Sequence, residues 1–310
     1  MGYMQFVKSE DLKPGMRLAK PIYNKMGVLL YERDTKLTLQ SINSINNFGL
    51  IGIFILEPAE PVPPLSKEDM EFEQFQTVYM FKLKDCMDKL LINRNIPSVR
   101  ELVQNIYTHY GALDHKLNFT QTLRSSADFV YKHSLSVAIL TAMITNELHI
   151  DPDQSQSLIA ASLLYDFGYL SVPKSILDKN EDFSASDRDL IRLKLEHGYE
   201  TIRPHFAELG LNDTTLEIIQ NMVFMDHATI NPKPPKPQVQ LLIDILKVAD
   251  KFDRLTAMNI NHPPMSELAA MSYFHENITQ YDHSVITALA NSIQILPAGA
   301  CLDFANGEKG

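Results

Sequence analysis

From Phe72 to about Ser292, apolar residues return at spacings of three and four. The first run, Phe72, Phe75, Tyr79, Leu83, Cys86 and Leu90, lays one apolar stripe along a long helix. A chain that keeps this period over most of its length folds as packed helices rather than as a sheet. Two readings of the first stripe stay open: packing inside the chain, or a homodimer seam through the helix around 72–91. Proline clusters interrupt the pattern twice. Pro58, Pro61, Pro63 and Pro64 remove backbone donors and favour extended chain, which reads as a linker over 58–65. Pro232, Pro234, Pro235 and Pro237 read as a surface loop inside the helical region.

Ahead of the linker the pattern differs. Met16 to Tyr23 and Val28 to Tyr31 are plausible strands, with turn chemistry in Asn24, Lys25, Met26 and Gly27. Thr38 reads as the N-cap of a helix through Phe48, closed by Gly49, and Ile51 to Leu56 reads as another strand. Residues 1–57 are therefore a small α+β module. Residues 66–120 are connecting helices, and 121–310 form a helical domain. Pro297, Gly299 and Asn306-Gly307 suggest a short closing β-hairpin, and the chain ends at Gly310, where its returning strand is expected to begin.

Composition narrows the function classes. Of 310 residues, 45% are hydrophobic and 21% charged, a balance that suits a packed domain and argues against long disorder. A net charge of −10 argues against a nucleic-acid polymer, whose phosphates need a basic face. Cys86 and Cys301 are too few and too distant for a disulfide framework or a zinc site. No signal peptide and no apolar run near the ~20 residues of a membrane span are visible, so a cytoplasmic location is expected.

Three polar residues stand on otherwise apolar helix faces. His133 continues the row Phe129, Val137, Leu140 and Ile144, and Asp250 continues Val239, Ile243 and Leu246. Asp166 ends an apolar helix just before Gly168. A buried carboxylate demands a partner, and one near a helix C-terminus demands a cation all the more. One histidine and two aspartates are metal-ligand types, although each alone is more often a hydrogen-bonded core residue.

The order of several short motifs resembles an HD-GYP domain. They are Lys132-His133-Ser134, Leu163-Leu164-Tyr165-Asp166-Phe167-Gly168, Val172-Pro173-Lys174-Ser175-Ile176-Leu177-Asp178-Lys179, and Ile245-Leu246-Lys247-Val248-Ala249-Asp250-Lys251-Phe252-Asp253. The tail Leu296-Pro297-Ala298-Gly299 with Asn306-Gly307-Glu308 resembles the end of the same domain. Leu12-Lys13-Pro14-Gly15-Met16 with Gly27-Val28-Leu29-Leu30 resembles a small module often found ahead of it. The resemblance implies a mainly α fold: an HD-type helical bundle, preceded by the α+β module and ended by the hairpin. It also implies a bacterial phosphodiesterase that opens cyclic di-GMP, with two or three metal ions, often iron, activating water and clamping phosphate.

Position by position, the resemblance is incomplete. His133, Asp166 and Asp250 match retained metal ligands. Tyr165 stands where the histidine of the His-Asp pair is expected, and Tyr169 replaces a lysine. Lys194, Met222 and Val223 stand where further ligand histidines are expected, with Lys194 placing positive charge at a second ion's position. Ile230-Asn231-Pro232 keeps only the proline of the GYP motif, and Asn259 to His262 replaces an arginine-containing segment. His227 reads as a loop residue rather than a substitute ligand, and Lys179 and Arg254 as residual phosphate-facing cations. The expectation is a catalytically impaired signalling or binding module without a metal cofactor, whose partner is a cyclic dinucleotide or a signalling protein. The alternative is a phosphohydrolase working with one divalent ion, iron or manganese, at a reduced site.

Overall fold

The structure, a computed structural model, describes residues 4–47, 52–56, 66–121, 128–177, 179, 183–224, 234–257 and 264–296. The proline linker, Gly49, His227, the segments 230–232 and 259–262, and the closing hairpin lie outside the described residues. The chain divides into two units: residues 1–78, 118–129 and 294–310 form one, and residues 79–117 and 130–293 the other.

In the first unit, β1 (Met4–Lys8) and β2 (Arg17–Leu18) both pair antiparallel with β5 (Gly52–Leu56), giving the order β1-β5-β2. The strand expected over Met16 to Tyr23 is broken in two. Its second half, β3 (Ile22–Tyr23), turns back and pairs with β4 (Leu29–Tyr31). The turn holds because Asn24 Oδ1 accepts the backbone N–H groups of Met26 and Val28, while Gly27 takes a φ of +76°. Thr38 Oγ1 accepts the Ser41 N–H at 3.1 Å and so caps α1 (Leu39–Asn47). Leu18, Leu37, Ile45 and Ile53 form the buried core here. A buried ion pair, Lys20 Nζ to Glu73 Oε1 at 2.9 Å, ties this module to the first turns of α2 (Lys67–Leu91). Ser66 and Asp69 form a reciprocal capping box at the start of that helix.

The second unit is all helical among the described residues, apart from one isolated bridge between Leu117 and Ile293. It contains the rest of α2, then α3 (Arg100–Tyr110), α4 (Phe129–Glu147), α5 (Pro152–Leu164), α6 (Lys174–Leu177) and α7 (Ala185–Ile202). It continues with α8 (Phe206–Leu209), α9 (Asp213–Phe224), α10 (Pro237–Thr256), α11 (Glu267–Glu276) and α12 (His283–Ser292). The last helix among the described residues stops at Ser292, near the expected end of the apolar period. Helix α4 is buried around its whole circumference from His133 to Thr145, so it is the centre of the unit. No helix among the described residues is long and apolar enough to cross a membrane.

The stripe on α2 is occupied from within. Phe72, Phe75, Leu83, Cys86 and Leu90 are all buried in the single chain. Intramolecular packing accounts for these five positions, and Tyr79 in the same stripe is half-buried. A coiled-coil partner needs those positions exposed.

Candidate functional site

Three elements of the helical unit converge on His133. Helix α4 supplies His133 itself. Helix α5 begins with Asp151 accepting the N–H groups of Asp153 and Gln154, and Pro152 sits at its first position. It ends at Leu164, and Tyr165 and Asp166 follow as the chain tightens into a 3-10 turn over Phe167–Ser171. That turn is pressed against α7. A Cβ on Gly168 would lie 2.3 Å from the Lys194 carbonyl oxygen, and one on Gly198 would lie 2.7 Å from the Gly168 backbone. Backbone meets backbone here, which only glycine permits, and the contact fixes the height of Asp166. Helix α10 contributes Asp250, Asp253 and Arg254, which share one face at i, i+3 and i+4.

The side chains form one connected cluster. His133 Nδ1 bonds Asp253 Oδ2 at 2.5 Å. Its Nε2 faces Tyr165 Oη at 2.9 Å, Asp250 Oδ1 at 3.1 Å and Asp166 Oδ2 at 3.2 Å. The Tyr165 hydroxyl donates to Asp250 Oδ1 at 2.7 Å. Arg254 closes the arrangement: its Nε donates to both Asp250 oxygens at 3.0 and 3.1 Å, and its Nη2 donates to Asp166 Oδ2 at 2.8 Å. The guanidinium also lies over the Tyr169 ring, 5.7 Å from its centre. His133 and Asp253 are sealed from solvent, whereas the Arg254 side chain is 29% exposed and forms the outer wall.

The electrostatics follow from burial and these partners. Burial and the nearby Arg254 charge oppose protonation of His133. Its hydrogen bonds to Asp166, Asp250 and Asp253 outweigh both and push its pKa up to about 10. Burial alone would raise Asp250, but Arg254 and His133 hold it well below the usual carboxylate range. Burial, with Asp166 and Asp250 alongside, pushes the Tyr165 phenol well up, so it remains a neutral donor. Burial likewise pushes Tyr169 up to about 12.

His133, Asp166 and Asp250 thus do meet, and their ligand atoms lie within 4.8 Å of one another. That spacing suits a metal, and the same side chains are also the partners of Arg254. Metal–oxygen and metal–nitrogen bonds need lone pairs at about 2.0–2.6 Å. Here both carboxylates already accept from one guanidinium, and His133 Nε2 points at carboxylate oxygens. As arranged, each of the three donors is already engaged within the cluster, by Arg254, by Tyr165 or by one another.

The remaining expected residues fall elsewhere. Lys179 Nζ closes on Asp187 at 2.8 and 2.9 Å, not on the cluster. Lys194 makes no hydrogen bond or ion pair with the cluster among the described residues; the cation there is Arg254, which is turned to carboxylates rather than to a phosphate. Val223 is buried and Met222 half-buried on α9, and neither offers a hard donor. Asp253 has no role in the sequence reading. Its spacing of three residues from Asp250 on a helix was the available signal.

Residues 118–285 match the HD domain family. The chain is also 22% identical over 218 residues to a cyclic di-GMP phosphodiesterase of Pseudomonas aeruginosa, a match covering 68% of this chain and 50% of that protein. The chain therefore spans about half the length of the curated relative it matches.

Proposed function

This chain belongs to the HD domain family, and from that membership we propose that its helical unit is a catalytically impaired, HD-GYP-like signalling or binding module. The observation that carries the reading is the Arg254 clamp on Asp166 and Asp250. Opening a phosphodiester on this plan needs a metal-activated water and metal clamping of the phosphate. The two carboxylates that would hold an ion are spent on a guanidinium. Tyr165, Lys194, Met222 and Val223 supply no replacement for further ligands. His133, Asp166 and Asp250 are in this reading the remnant of a metal centre, rebuilt as an internal salt cluster. The ligand class that the curated relative suggests is a cyclic dinucleotide, with a signalling protein as the other candidate partner.

The test incubates the chain with cyclic di-GMP and Mn2+ or Fe2+, follows the linear product by chromatography, and measures binding by calorimetry. The expected outcome is no metal-dependent turnover. Binding without turnover supports a nucleotide-sensing module, and no binding leaves the protein partner. The second reading, a one-metal phosphohydrolase, draws on the 4.8 Å grouping of the three donors. Metal-dependent opening that disappears in Asp166→Ala would establish it and overturn the first.

A further inference from the structure

We propose that the Arg254 guanidinium is the resident cation of this centre, and that removing it turns the centre into a one-metal site. The inference rests on the reading of the native centre as metal-free. One planar group spans carboxylates from two separate elements, the turn after α5 and helix α10, with contacts of 2.8 to 3.1 Å. Bridging two carboxylates is the task an ion performs in such a donor set. Arg254 performs it from a fixed base, because it sits one helical turn beyond Asp250 and its guanidinium rests against Tyr169.

Two features keep the rest of the site in place once that side chain is gone. Asp253 holds the Nδ1 side of His133, so Nε2 continues to face Asp166 and Asp250; a carboxylate behind a histidine is how ligand histidines are usually oriented. The Gly168–Gly198 contact holds the turn that carries Asp166. Arg254→Ala would then leave two largely buried carboxylates facing one another with their bridging charge missing, a costly state that an external cation relieves. The space vacated lies on the solvent side, since Arg254 is the most exposed member of the cluster. An ion and its waters can therefore enter, and ligation by His133 displaces the Nε2 proton to solvent as the ion takes over its charge. Histidine nitrogen and carboxylate oxygens suit Mn2+ or Fe2+, with water completing the coordination.

The experiment measures Mn2+ binding by electron paramagnetic resonance and melting temperature by calorimetry, for the native chain, Arg254→Ala and Arg254→Gln. The native chain is expected to bind no Mn2+ at this centre and to keep its melting temperature. Arg254→Ala is expected to bind one ion per chain, at least about tenfold more tightly than the native chain, and to melt higher with Mn2+ than without. Adding Asp250→Asn to Arg254→Ala should abolish the gained site. Native binding that Asp166→Asn removes would overturn the metal-free reading, and this proposal with it. A metal-free native chain with folded Arg254 variants that bind no ion would overturn this proposal alone. So would failure of both variants to fold with Mn2+ present, because the ion then does not take the place of the side chain.

Discussion

At the scale of single residues, the cluster around His133 behaves as a closed charge network. The imidazole meets Asp253 on one side and Asp166 and Asp250 on the other. Its pKa rises from 6.5 to about 10, so the folded state binds this proton more tightly than the unfolded chain. The stabilisation is therefore complete below pH 6.5, declines as pH rises above it, and is gone once pH passes about 10. Ring nitrogen shifts in NMR are expected to show His133 doubly protonated at neutral pH, and a neutral ring there would contradict the network. Asp253→Ala removes one partner of a fully buried pair, which is expected to cost about 3–5 kcal/mol in denaturant unfolding. A loss below about 1 kcal/mol would mean the pair is readily replaced by water. His133, Asp166 and Asp250 were legible in the sequence because each is a polar residue on an apolar row. The reach of Arg254 from Asp250, its neighbour one helical turn away, across to Asp166 was not. It depends on where the turn after α5 and helix α10 meet, which no single row of residues encodes.

At the scale of elements, the apolar period located the helices well, since a buried face leaves its mark every three or four residues. The expected end near Ser292 coincides with the end of α12, the last helix among the described residues. The short strands were harder: β2 and β3 are two residues each, too brief for an alternation to show, and one expected strand became two. The close approach of the turn Phe167–Ser171 to α7 was equally hidden, although Gly168 and Gly198 are both visible in the sequence. Gly168→Ala places a methyl against backbone that cannot yield, and is expected to cost about 1–3 kcal/mol. Glu200→Ala, on the exposed side of α7, is expected to stay within about 0.5 kcal/mol. Urea unfolding of the two variants checks the contrast, and equal effects would remove the glycine contact from the account of how Asp166 is held.

At the scale of the whole molecule, the question is whether the chain needs a second copy of itself. A long helix with an apolar stripe is the usual ground for expecting one, and α2 carries such a stripe. All of its members except the half-buried Tyr79 are spent, however. Leu83 and Leu90 are fully buried, and Phe72 and Cys86 each retain 2% exposure within a single chain. The other face of α2 carries ion pairs such as Lys84 with Asp88 and Lys89 with Asp85, which remain hydrated and offer little to a partner helix. A coiled coil built on this helix would have to pull the same apolar residues out of the core. Each large side chain so exposed costs about 1.5–3 kcal/mol, and several would move together. Light scattering across a concentration series is therefore expected to give the monomer mass of 35.2 kDa. A mass of twice that value, abolished by Leu83→Glu in a chain that remains folded, would show instead that α2 exchanges its internal partners for a second copy.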